Sequence, residues 1–99
     1  NLVYEFEDLT IDFEAMTFKW KHGEIIFPQT KDMQILKLLI QKSPQVITRD
    51  EILNEVWGIE DYPSERTVDN SIVRLRQSLK NQQVYLKSVR GMGYQWIVS

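Results

Sequence analysis

The hydrophobic period of this chain switches twice, from two to about 3.6 and back to two, and this restricts its fold more than any other property. "LTIDF" (Leu9–Phe13) and "TFKW" (Thr17–Trp20) alternate apolar and polar residues, and "EIIF" (Glu24–Phe27) follows the turn Lys21-His22-Gly23. Period two puts alternate side chains on opposite faces of a strand, so these runs predict an antiparallel meander. In "DMQILKLLIQK" the apolar residues fall at Met33, Leu36, Leu39 and Ile40, widened by Ile35 and Leu38, which is the stripe of a well-buried helix ended by Pro44. "TRDEILNEVW" predicts a second helix: Thr48 and Glu51 have capping-box spacing, and Ile52, Leu53, Val56 and Trp57 supply an inner face. "GIEDYP" (Gly58–Pro63) reads as a loop, and Ser64 as the N-cap of a third helix running to about Lys80. Period two returns in "VYLKSV" and "YQWIV", which flank "RGMG", a glycine-rich hairpin connection. The order is strands, three helices, hairpin, in one α+β domain of 99 residues. The last two helices and the hairpin have the outline of a winged helix-turn-helix.

Composition removes several function classes. The chain has no cysteine and one histidine, His22, so thiolate chemistry is excluded and a histidine-based catalytic or metal site has little to draw on. No nucleophile-base pair or phosphate loop is apparent, and "GMG" lacks the third glycine and following helix of a dinucleotide fingerprint. The expectation is a protein without catalysis, cofactor or metal. No apolar run reaches the roughly 18 residues of a membrane span and no signal peptide is visible, so a cytoplasmic setting is expected. The first residue is Asn1 rather than Met, which suggests a fragment of a longer protein.

The net charge of −2 is unevenly placed. Residues 1–63 hold 6 Lys/Arg and 12 Asp/Glu; residues 64–99 hold 6 Lys/Arg and 2 Asp/Glu, a basic back half behind an acidic front. On a wheel of "ERTVDNSIVRLRQSL" (Glu65–Leu79), Val68, Ile72, Leu75 and Leu79 form the core stripe. Arg66, Asn70, Val73, Arg74 and Gln77 lie opposite, with Asp69 and Arg76 on one flank and Thr67 and Ser71 on the other. Arginine pairs with guanine, amides pair with adenine and a small apolar group meets the thymine methyl, so this acid-free face suits a major groove. Arg90, beside Gly91 and Gly93 at the hairpin tip, suits a narrow minor groove.

"RDEILNEVWG", "ERTVDNSIVRLRQSL" and "SVRGMGYQW" together resemble the DNA-binding effector domain of OmpR/PhoB-family response regulators, in order and at the family's spacings over nearly the whole chain. The resemblance implies an N-terminal four-stranded antiparallel sheet, three helices and a C-terminal β-hairpin wing. It also implies an upstream receiver domain phosphorylated on aspartate. Base reading would fall to Arg66, Asn70, Ser71, Val73, Arg74 and Gln77, with Arg74 the main reader and Arg66 also near phosphates, and to the wing's Arg90. The sugar-phosphate backbone would be met by Arg49, Trp57, Thr67, Arg76, Ser88 and Tyr94. The acidic loop, through Glu60 and Asp61, stands where family members contact RNA polymerase. The implied partner is promoter DNA bearing direct repeats, occupied by a head-to-tail dimer in a two-component system.

Departures from the family pattern carry information. Asn70, Ser71 and Val73 are uncharged where Arg or His is frequent, Gln77 replaces a frequent Lys, and Asp32 stands in place of Glu in "FPQTKDM". The third helix is therefore expected to read a different sequence. The neutral positions also keep an alternative open, a winged helix that docks an acidic protein and binds no DNA.

Overall fold

The computed structural model describes residues 2–58 and 63–98. Four short strands come first: β1 (Val3–Phe6), β2 (Leu9–Asp12), β3 (Thr17–Trp20) and β4 (Ile25–Ile26), antiparallel in sequence order. The Leu9↔Trp20 and Ile11↔Phe18 register puts all four side chains in the core. Asp12 shapes the β2–β3 turn, its carboxylate accepting from the backbone N–H groups of Glu14 and Ala15 at 2.9 Å each.

The helices are α1 (Thr30–Gln41), α2 (Arg49–Val56) and α3 (Glu65–Leu79). α1 buries Met33, Ile35, Leu36 and Leu39 completely and packs against both other helices and the C-terminal hairpin. The capping box of α2 is formed: Thr48 Oγ1 accepts from Glu51 N–H, and Glu51 Oε1 accepts from Thr48 N–H, both at 3.1 Å. Ser64 occupies the N-cap position of α3, but its hydroxyl makes no cap bond. Lys80, at φ 53°, ends that helix in the left-handed region.

A 3₁₀ turn (Lys80–Tyr85) leads into β6 (Leu86–Val89), and β7 (Gly93–Trp96) returns between β6 and a two-residue strand, β5 (Ile47–Thr48), to make a second sheet. Gly93 is required there. A Cβ on it would stand 2.1 Å from Ile47 O and 2.9 Å from Thr48 Cα, both backbone atoms that cannot turn aside.

The architecture is the α+β winged helix-turn-helix read from the period changes, with the four-stranded sheet that the family resemblance implied. Three details differ. β1 was not legible from its own residues. α1 starts at Thr30 rather than Asp32. "VYLKSV" is not strand throughout: Val84 and Tyr85 belong to the 3₁₀ turn, because tertiary bonds hold that segment. The amide of buried Gln82 donates to Glu7 and Asp8 at 3.2 Å, and the Tyr85 hydroxyl to Glu7 at 3.1 Å. Phe6, Tyr85 and Trp96 pack their rings at tilted and edge-on angles across the same seam, joining the first sheet to the 3₁₀ turn and β7.

Candidate nucleic-acid interface

α3 sorts its side chains into three environments. The first is a stripe at i, i+4, i+7 and i+11: Arg66, Asn70, Val73 and Gln77 are all exposed, and the apolar Val73 keeps 53% of its surface in solvent. No acid interrupts it. The second is the core, filled by Val68, Ile72, Leu75 and Leu79.

Ser71 joins the core, at 0% exposure, and this corrects its assignment as a base reader. The reason is packing: α1 covers the flank of α3 on which the helical wheel places it. Its hydroxyl accepts from Arg74 Nη2 at 3.1 Å.

The third environment consists of arginines turned back onto the protein. Arg74 does not project freely, as a main base reader was expected to. Its Nε donates to Asp32 Oδ2 at 2.8 Å and its Nη2 to Asp32 Oδ1 at 3.0 Å, a bidentate pair from α3 to the first turn of α1. Asp32 is 2% exposed, and its bonds to Arg74 hold the guanidinium's pKa above its ordinary value. Arg49 and Arg76 both stand over the Tyr94 ring, 5.5 and 5.9 Å from its centroid. Arg49 Nε donates to Asp69 Oδ1 at 2.7 Å, and the Tyr94 hydroxyl donates to the same oxygen at 2.6 Å. Arg76 Nη2 donates to Leu86 O at 2.9 Å and to Ser88 Oγ at 2.8 Å. One cluster thus ties the start of α2, the middle of α3 and both strands of the wing.

Electrostatics within the cluster follow from these bonds. Burial acts to raise the Asp69 pKa, but the bonds from Tyr94 and Arg49 outweigh it and hold the carboxyl below the usual range. The Tyr94 hydroxyl is pushed up, first by burial and then by its bond to the Asp69 carboxylate. Tyr94 is 6% exposed, which corrects its expected contact with the sugar-phosphate backbone: its ring and hydroxyl are both engaged inside the domain.

The other expected contacts lie nearer the surface. Thr67 and Trp57 are half-buried; Lys31 donates to Val56 O at 3.0 Å, closing the C-terminus of α2, and stands 5.6 Å from the Trp57 ring centroid. Ser88 is exposed but engaged by Arg76. At the wing tip Arg90 is exposed, next to Gly91 at φ 76°. Glu60 and Asp61, expected at a polymerase contact, fall outside the described residues.

Two organising carboxylates, Asp32 and Asp69, were missed as site residues. Asp32 had a signal: it stands four residues before Leu36 on the apolar stripe of α1, and a charge on a buried stripe requires a buried partner. Asp69 had less, since an acid on a helix flank is commonly solvated. Among the described residues no cluster of His, Cys, Asp or Glu could hold a metal ion, and no helix is long and apolar enough to cross a membrane.

Comparison with known proteins bears on this arrangement. Residues 23–96 match the family model described as "Transcriptional regulatory protein, C terminal". The heme response regulator HssR of Staphylococcus aureus is 42% identical over 89 residues, covering 88% of this chain and 39% of HssR. The chain spans little more than a third of the length of the curated relatives it matches. Among solved structures, the response regulator DrrB of Thermotoga maritima, an OmpR/PhoB homolog, superposes with a TM-score of 0.83 at 34% identity, over 99% of this chain and 45% of DrrB. The RstA DNA-binding domain of Klebsiella pneumoniae, in complex with the RstA box, gives 0.76 at 30% identity, over 97% of each chain.

Proposed function

The chain belongs to the family of transcriptional regulatory protein C-terminal domains, those of OmpR/PhoB-type response regulators, and from that premise we propose that it binds double-stranded promoter DNA sequence-specifically. The observation that carries the proposal is the acid-free exposed stripe of α3, with an exposed arginine at the tip of the adjoining wing. α3 enters the major groove, where Asn70 and Gln77 meet adenine, Val73 a thymine methyl, and Arg66 a guanine or the adjoining phosphate. Arg90 enters the neighbouring minor groove. Arg49, Arg76 and Tyr94 act mainly through their mutual bonds, which set the angle between wing and helix; Thr67, Trp57 and Ser88 border the backbone. The RstA domain, similar in fold and solved with its DNA box, supports this docking.

The remaining parts of the proposal concern the longer protein. A phosphorylated receiver domain precedes this one, pairs two copies head-to-tail on direct repeats about one helical turn apart, and raises their effective concentration on DNA. Glu60 and Asp61 touch RNA polymerase. The protein works in the cytoplasm and catalyses no reaction.

Selection from a pool of random duplexes tests the core of the proposal. Enrichment of one motif is expected, with log K falling by about four per log unit of salt if four to five phosphates are neutralised. Failure to enrich any motif, with a flat salt response, would overturn it and favour a protein-docking winged helix.

A further inference from the structure

We propose that Asp32 is a positioning residue for base reading: it fixes Arg74 so that a single nitrogen of the guanidinium faces the groove. The inference rests on the DNA-binding reading above and goes beyond it in assigning a specificity role to a residue that touches no DNA.

The pair is asymmetric. Asp32 lies inside the domain at 2% exposure, whereas 40% of the Arg74 side chain remains in solvent. Its anchored end is in the core; its open end adjoins the exposed stripe, four residues after Asn70 and three before Gln77. A guanidinium carries five N–H donors. Nε is engaged by Asp32 Oδ2, and Nη2 by both Asp32 Oδ1 and Ser71 Oγ. The two N–H groups that remain are both on Nη1.

This removes the usual ways in which arginine reads guanine. A side-on bidentate contact uses Nε with one terminal nitrogen, and an end-on contact uses both terminal nitrogens. Each needs a group already committed inside the domain. The two donors left on Nη1 diverge, so each suits a single acceptor such as guanine O6, thymine O4 or a phosphate oxygen, and the two do not form the parallel pair that matches O6 and N7 of one guanine. Because the guanidinium is held before DNA arrives, little side-chain freedom is lost on binding and the donor points in one direction. The buried carboxylate also offsets the charge of Arg74, which lowers its pull on phosphates of any sequence.

The test compares wild type, Asp32→Asn, Asp32→Glu and Arg74→Ala by selection from random duplexes, followed by competition binding on the selected site and on unrelated DNA. Arg74→Ala is expected to lose preference at one base pair. Asp32→Asn is expected to lose preference at the same pair by about 5- to 100-fold, while binding to unrelated DNA strengthens and its salt dependence steepens. Asp32→Glu keeps the charge and restores the preference. A carboxylate that served stability alone would weaken all sequences together and leave the motif intact, and that result overturns the proposal. Retention of the wild-type preference by Asp32→Asn at the pair lost in Arg74→Ala overturns it equally. Ser71→Ala serves where Asp32→Asn fails to fold: freeing the second Nη2 proton reopens the end-on edge, and preference at that pair should shift toward guanine. No shift there counts against the idea. Should wild type itself enrich no motif, the DNA-binding reading falls first and takes this one with it.

Discussion

Removing Asp69 tests whether one carboxylate holds the wing against α3. Its Oδ1 accepts from Arg49 Nε at 2.7 Å and from the Tyr94 hydroxyl at 2.6 Å. The two bonds are unequal in value. The side chains of Arg49 and Asp69 are 33% and 42% exposed, so that ion pair contributes only about 0.5 kcal/mol after solvent screening. Tyr94 is 6% exposed, and stranding its hydroxyl without an acceptor costs about 1–3 kcal/mol. Asp69→Ala should therefore destabilise the domain by about 2 kcal/mol, or roughly 10 °C in Tm for a chain of this size. Thermal unfolding of Asp69→Ala, Tyr94→Phe and the double variant makes the test sharper. In the wild-type background Tyr94→Phe should destabilise. In the Asp69→Ala background it should be neutral or stabilising, since it deletes the stranded hydroxyl. An acid series adds a second check. The folded-state pKa of Asp69 is depressed, so its contribution is fully present above the unfolded value near 4 and is lost as pH falls through the folded value. The gap between wild type and Asp69→Ala should thus narrow below about pH 4. Equal cost of Tyr94→Phe in both backgrounds, or a gap that persists undiminished in acid, would refute the reasoning.

Other substitutions probe separate parts of the fold and surface. Gly93→Ala drives a Cβ into Ile47 O, 2.1 Å away, so β5 and β7 must part; chemical denaturation should show a loss of about 3 kcal/mol or more. Thr48→Ala removes one half of the α2 capping box and should cost about 1 kcal/mol in urea unfolding. Arg90→Ala alters an exposed wing tip, so its melting temperature should match wild type. Its DNA affinity should fall chiefly at A·T-rich flanks, with a salt slope smaller by about one in titrations.

Much of the architecture was legible because periodicity is a local signal with a direct geometric cause. Leu9, Ile11 and Phe13 had to share a face if the segment was a strand, and Met33, Leu36 and Leu39 had to share one if theirs was a helix; each set is buried. The Thr48–Glu51 capping box was equally local, since both partners lie within one turn. Four of the five residues that the wheel placed on the outer face of α3, all but Arg74, are exposed, and Arg90 was found from the glycines that follow it at the hairpin tip.

Residue spacing alone was enough to read the order of elements, their inward faces and the helix that carries the candidate interface. Which polar groups on that helix face solvent depends on how the other elements pack against it. A wheel places Ser71 on a flank and Arg74 opposite the core, but the packing of α1 buries the first and its Asp32 captures the second, from 42 residues away. Asp69 likewise takes Arg49 from 20 residues away and Tyr94 from 25. The 3₁₀ turn at Gln82 and Tyr85 depends on Glu7 and Asp8 at the far end of the chain. Apolar burial follows a period that neighbouring residues share, whereas a hydrogen bond needs one donor and one acceptor to meet in space, and that meeting has no period to read.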